Sequence, residues 1–162
     1  MKDMKFYIEK LNMVKHPEGG YFVSTYESEI EYDKRPMATS IYFLLPYNDS
    51  SFFHKLKSDE LWYFHGGDPL SVYIIDENGE LKVEKVGLDI EKGEKMQVLV
   101  SKNQIFGSMC DVEGGFSIVG CMVAPGFIYE EFKLYNKEEM LELYPNYSEV
   151  IEEFARRKTL GE

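Results

Sequence analysis

Two hydrophobic rhythms run along this chain. Over residues 5–13 the apolar positions Phe6, Ile8, Leu11 and Met13 fit one short amphipathic helix. His16-Pro17 ends it, because the residue before a proline is pushed out of helical angles. His16-Pro17-Glu18-Gly19-Gly20-Tyr21-Phe22 then reads as a turn feeding a strand that continues over residues 23–26. Residues 27–35 are charged and read as a loop, whereas residues 37–45 are apolar almost throughout, the pattern of a strand buried on both faces.

From there strand-like runs recur about every eight to twelve residues, the spacing of a β-sandwich or barrel. The runs are 52–56, 60–64, 70–75, 80–86, 96–100, 108–111 and 116–123, and alternation over 127–134 predicts a last strand. Asp76-Glu77-Asn78-Gly79 is the strongest hairpin signal, and Glu113-Gly114-Gly115 marks a second turn. Near the C-terminus Asn136 caps a predicted helix over 137–143, with Glu139 at the capping-box position. A second helix over 148–157 presents Val150, Ile151 and Phe154 to the body. No linker or internal repeat interrupts the 162 residues, which read as a single domain, 1–162.

Composition changes this picture in three ways. Aromatic residues make up 15% of the chain, 12 of them Tyr and 11 Phe, which favours a β-rich core or a lined pocket. The net charge of -11, from 29 acidic and 18 basic residues, disfavours nucleic acid and anionic membrane surfaces as partners. Cys110 and Cys121 lie in apolar runs without metal or redox spacing, and no leader or membrane span is legible, so a soluble cytoplasmic protein is expected.

The chemistry concentrates in residues 51–67, where polar groups interrupt apolar strands. His54 stands among aromatics and Glu60 opens the next strand, while Gly66-Gly67 closes it. A mostly apolar sheet face carries such groups only where each finds a partner or does work. His54, Leu56, Glu60 and Gly67 occupy the four places of the first cupin motif, and the chain resembles the cupin superfamily. Four ordered blocks make the resemblance closer to one small cupin family of undefined function: His16-Pro17-Glu18-Gly19-Gly20-Tyr21, the run 39–45, the run 58–65 and Val123-Ala124-Pro125-Gly126-Phe127.

The resemblance implies a mainly β fold, a double-stranded β-helix or jelly roll, with a short N-terminal helix and C-terminal helices around a small-molecule site. Similarity to sugar-nucleotide 3,5-epimerases implies a homodimer. Two of the four usual metal-ligand places depart, Leu56 in the first motif and Phe106 at the His place of the second. That leaves His54 and Glu60, too few for a divalent metal, so no cofactor is expected. The expected activity is metal-free proton transfer, as in an isomerase or epimerase acting on a carbohydrate-like or other polar metabolite. His54 is the candidate base, with Glu60 orienting it and a Tyr as opposing acid. The alternatives are a non-catalytic binding module and, third, a metal-dependent dioxygenase.

Glu18, Tyr21, Arg35, Thr39, Trp62 and Phe106 are the candidate ligand-binding residues, Arg35 because a guanidinium forks onto carboxylate or phosphate. Gln104 is a further polar position with an inward option. His65 has opposite parity to Glu60 and is expected to face away from it, while His16 reads as a surface turn residue.

Overall fold

The computed structural model describes residues 2–161. Helix α1 (Met4–Lys10) leads into β1 (Val14–Lys15), β2 (Tyr21–Glu27), the short hairpin β3 (Glu31–Tyr32) and β4 (Arg35–Pro36), and β5 (Thr39–Pro46). Strands β6 (Ser51–Lys55), β7 (Asp59–Gly67), β8 (Leu70–Ile75), β9 (Leu81–Val86), β10 (Gln97–Val100), β11 (Ile105–Cys110) and β12 (Phe116–Ala124) follow. The chain ends with β13 (Lys133–Leu134), α2 (Lys137–Leu143) and α3 (Ser148–Gly161).

Six strands form one sheet in the order β1-β2-β5-β12-β7-β10, and five form a second in the order β13-β6-β11-β8-β9. From β5 onward the chain crosses between the sheets at almost every step. This is the double-stranded winding of a jelly roll, and the sheets face each other without closing into a barrel.

Three apolar layers result. Between the sheets lie Phe43, Leu45, Trp62, Val72, Val86, Val98, Phe106 and Val119. The outer face of the five-stranded sheet buries Phe53, Ile75 and Met109 under α2 and α3, through Met140, Ile151 and Phe154. Gly107 permits this closeness, since a Cβ there would meet the Phe154 ring at 2.7 Å. On the outer face of the six-stranded sheet, α1 covers Met13, Leu44 and Ile118.

Most elements follow the sequence pattern. The capping box at α2 is present, with Asn136 accepting from the Glu139 backbone N–H and Glu139 accepting in return. Asp76–Gly79 joins β8 to β9, with Gly79 at φ 81. Three expectations are corrected. The first helix stops at Lys10, because Asn12 turns into the left-handed region at φ 53. The charged loop over 27–35 contains the β3–β4 hairpin, turned by Asp33 and Lys34 at positive φ. Residues 127–134 are no continuous strand: a short 3-10 turn, Tyr129–Glu131, interrupts them, and Lys133–Leu134 alone pair, with β6.

Candidate functional site

The turn 16–20 places the first site residue. Gly19 and Gly20 adopt φ 115 and 73, and a Cβ on Gly20 would meet the Leu44 carbonyl at 2.8 Å, so glycine is needed for the chain to turn against β5. The Gly20 backbone N–H donates to buried Asp49 at 2.9 Å. The Phe52 N–H donates to the Glu18 carbonyl at 2.8 Å and Ser51 Oγ to the Glu18 carboxyl at 2.8 Å, which fastens Glu18 onto β6.

Two residues further along β6, His54 points between the sheets. Its Nδ1 lies 2.8 Å from the Phe52 carbonyl, an acceptor, so Nδ1 carries the proton. Nε2 then faces Glu18 Oε2 at 3.3 Å, and His16 Nδ1 approaches the same oxygen at 3.6 Å. The Phe106 ring packs on His54 with centroids 4.1 Å apart. From the opposite sheet β7 contributes Glu60, hydrogen-bonded to the Cys121 thiol of β12.

His16, Glu18, His54, Glu60 and Cys121 line a cavity of about 200 Å³. Its apolar wall includes Phe22, Leu56, Phe127 and Phe132, and Glu27 and Tyr129 also line it. Among the described residues that line it there is no Lys or Arg.

Burial dominates the electrostatics. Glu18, His54 and Glu60 are 7%, 2% and 7% exposed. Loss of solvent lowers the His54 pKa to about 4 against the opposing effect of its Phe52 hydrogen bond. It also raises Glu60 to about 8, helped by the nearby Glu18 carboxyl, and pushes Glu18 upward despite His16 and the Ser51 hydroxyl. Burial drives His16 down and the Cys121 thiol well up. The Glu18–His54 contact is therefore a close approach of two groups driven toward their neutral forms, not a strong ion pair.

The sequence-predicted residues divide. Glu18, Thr39, His54 and Glu60 line the cavity. The expected His54–Glu60 pair does not form, because β6 and β7 lie in opposite sheets; Glu18 and the Phe52 carbonyl hold His54 instead. Arg35 is drawn off by Glu131, at 2.6 Å. Tyr21 packs beneath α1 on the outer face of its sheet. Trp62 and Phe106 point inward but belong to the apolar layer below the cavity. Thr39 Oγ1 accepts from the Phe127 N–H at 3.0 Å, tying the segment after β12 to the mouth. Gln104 bonds the Ser101 N–H of its own turn.

His65 occupies the irregularity in the β7–β12 pairing and lies on the outer face against Tyr42. His16 is corrected: rather than a surface residue it is a wall of the cavity, its ring set edge-on to Phe22 at 4.7 Å. Pattern reading also passed over Glu27, Cys121 and Phe132. The inward parity of Cys121 with Val119 and Val123 was the available signal for one of them.

The two departing metal-ligand places implied by the resemblance hold Leu56, in the cavity wall, and Phe106, stacked on His54. Among the described residues no group of three or more His, Cys, Asp or Glu side chains is arranged to hold a metal ion. The donor set does not fit a metal centre of the usual kind.

Two sheets wound in a jelly roll around a small, partly polar cavity define a cupin. The sequence model of the Cupin superfamily (DUF985) matches residues 5–135, and the chain belongs to that family. It is similar to protein SO0799 from Shewanella oneidensis, whose crystal structure superposes with a TM-score of 0.92 at 43% identity over 95% of this chain and 98% of that one. A hypothetical protein from Leishmania major gives a TM-score of 0.86 at 36% identity, covering 93% and 97%. The uncharacterized protein YML079W of Saccharomyces cerevisiae is 29% identical over 154 residues, 83% of this chain and 76% of its own length.

Proposed function

We propose that this cupin binds a small polar metabolite in the cavity between its sheets and moves a proton on it without a metal, as an isomerase or epimerase does. The observation that carries the reading is His54, held in one tautomer by the Phe52 carbonyl with its Nε2 lone pair turned into the cavity beside Glu18. Burial leaves His54 weakly basic, and ionisation of the Glu18 carboxyl beside Nε2 is the step that would raise its basicity enough to accept a carbon-bound proton and hold the resulting imidazolium. Glu60, on the opposing sheet and with its pKa raised to about 8, is the acid on the other side. The proton leaves the substrate carbon for Nε2, the electron pair passes into an adjacent carbonyl, and Glu60 returns a proton to the other face. Tyr129, at the mouth, is the one tyrosine among the residues lining the cavity.

Deuterium incorporation tests this without knowledge of the product. Small hydroxy-carbonyl metabolites incubated with the protein in D2O are expected to exchange a carbon-bound proton, and His54→Gln is expected to slow exchange about 10²-fold or more. Ligands that bind but never exchange would instead support the second reading, a non-catalytic binding module.

The proposal includes a homodimer in the cytoplasm. Tyr26, Tyr42 and Leu99 lie on the outer face of the six-stranded sheet beyond the part that α1 covers and are exposed, which supports self-association. Both cysteines are unpaired, in keeping with a reducing compartment. Light scattering over a range of concentrations tests the dimer; a constant monomer mass would refute it. Among the described residues no helix is long and apolar enough to cross a membrane.

A further inference from the structure

The segment after β12 builds one side of the cavity mouth from three rings. Phe127 and Tyr129 meet at 83° with centroids 5.0 Å apart, Tyr129 and Phe132 at 88° and 6.4 Å, and Phe127 and Phe132 at 59° and 5.6 Å. The three rings pack edge-to-face or tilted on one another as one aromatic cluster, and all three line the cavity. Beside it stands Glu27, whose register partner is Thr39, and Thr39 holds the Phe127 N–H. Glu27 lines the mouth and is exposed.

The charge of the whole lining points the same way. Glu27 is the exposed carboxylate of the lining, Glu18 and Glu60 are driven by burial toward their neutral, hydrogen-bond-accepting forms, and no lysine or arginine stands among the described lining residues. The nearby cations are committed elsewhere: Arg35 to Glu131, and Lys158 to the Pro17 carbonyl at 3.3 Å. An anionic metabolite would enter with no lining lysine or arginine to neutralise it, at a cost that grows with its burial. A cation instead meets the Glu27 carboxylate and the aromatic rings beside it, the arrangement that recognises quaternary ammonium groups elsewhere. The net charge of -11 also draws cations toward the molecule.

Building on the proposed function, we infer that the ligand carries a positive charge, an alkylammonium head held at the mouth by Phe127, Tyr129, Phe132 and Glu27, with its reacting end directed to His54 and Glu60. Arg35 and the lining together remove phosphate- or carboxylate-headed metabolites from the candidates.

Choline and 3,3-dimethyl-1-butanol share a shape and differ in charge, and calorimetric titration of both into the full-length protein tests the inference. Choline is expected to bind about tenfold or more tightly than the alcohol. Tyr129→Leu and Glu27→Gln, at exposed positions that leave the fold intact, are each expected to weaken choline several-fold and leave the alcohol unchanged. Equal binding of the two, or no choline binding at millimolar concentration, overturns the inference. D-xylose separates the two readings: xylose binding that requires His54, with no choline binding, removes the cation and keeps the cavity. Choline binding in a protein that exchanges no deuterium into any candidate keeps the cation and removes proton transfer.

Discussion

Phe53 and His54 are neighbours on β6, and both are almost wholly buried. They face opposite sides of one sheet. Phe53 joins the dry layer under the C-terminal helices, 4.5 Å from the Phe154 ring, whereas His54 faces a cavity where its partners are a carboxyl and a backbone carbonyl. Burial alone does not tell these sides apart. On the helix side it stabilises the fold, roughly 1.5–3 kcal/mol for each large apolar side chain. On the cavity side the same burial strips solvent from ionisable groups, which pushes His54 and Glu60 away from their ordinary titration ranges.

If that contrast holds, substitutions on the two faces have different signatures. Phe154→Ala is expected to cost about 3–5 kcal/mol in denaturant unfolding, because it empties a fully buried ring site, while ligand affinity of the remaining folded protein stays unchanged. A matching loss of affinity would show that the helices support the cavity directly.

Glu60 gives the next largest effect, with a defined pH dependence. Its folded pKa, about 8, lies above the ordinary 4.5, so the folded chain keeps a proton that the unfolded chain releases between those values. That contribution to stability is complete below about pH 4.5 and is lost as pH rises through about 8. Glu60→Gln does not titrate, and its stability relative to the parent is expected to improve steadily from about pH 5 to about pH 9, by at most about 4 kcal/mol. A pH-independent difference would place Glu60 in contact with solvent.

Much of this contrast was legible in the chain and some was not. Alternation located most strands, and the appearance of His54 and Glu60 inside apolar runs marked the cavity side without any coordinates. What alternation could not supply is which strands are neighbours. His54 and Glu60 are six residues apart, yet the chain crosses between sheets at residues 56–58, and their partners come from elsewhere: Glu18 from the N-terminal turn and Cys121 from β12. The place of His16 is not legible because His-Pro-Glu-Gly-Gly is turn chemistry, and turns are usually exposed. Here the turn folds inward over β6. Alternating aromatics over 127–134 imitate a strand, but those rings are spaced by a 3-10 turn to line the mouth.

Smaller effects sharpen the comparison further. His54→Gln is expected to cost about 1–2 kcal/mol in stability, less than the loss of a core ring, while lowering proton exchange by about 10²-fold or more. Equal losses in both would make His54 a packing residue. Asn136→Ala removes the α2 cap for about 1 kcal/mol, and cavity ligands should not sense it. Thermal melts with and without ligand check both variants.

The tautomer and titration of His54 bear most directly on the central claim, and 15N-resolved NMR of the imidazole reads both. The structure predicts a ring protonated at Nδ1 alone, with a bare Nε2, that stays neutral as pH falls until about 4. An Nε2-protonated ring, or a midpoint near the ordinary 6.5, would contradict it and leave the cavity without its base.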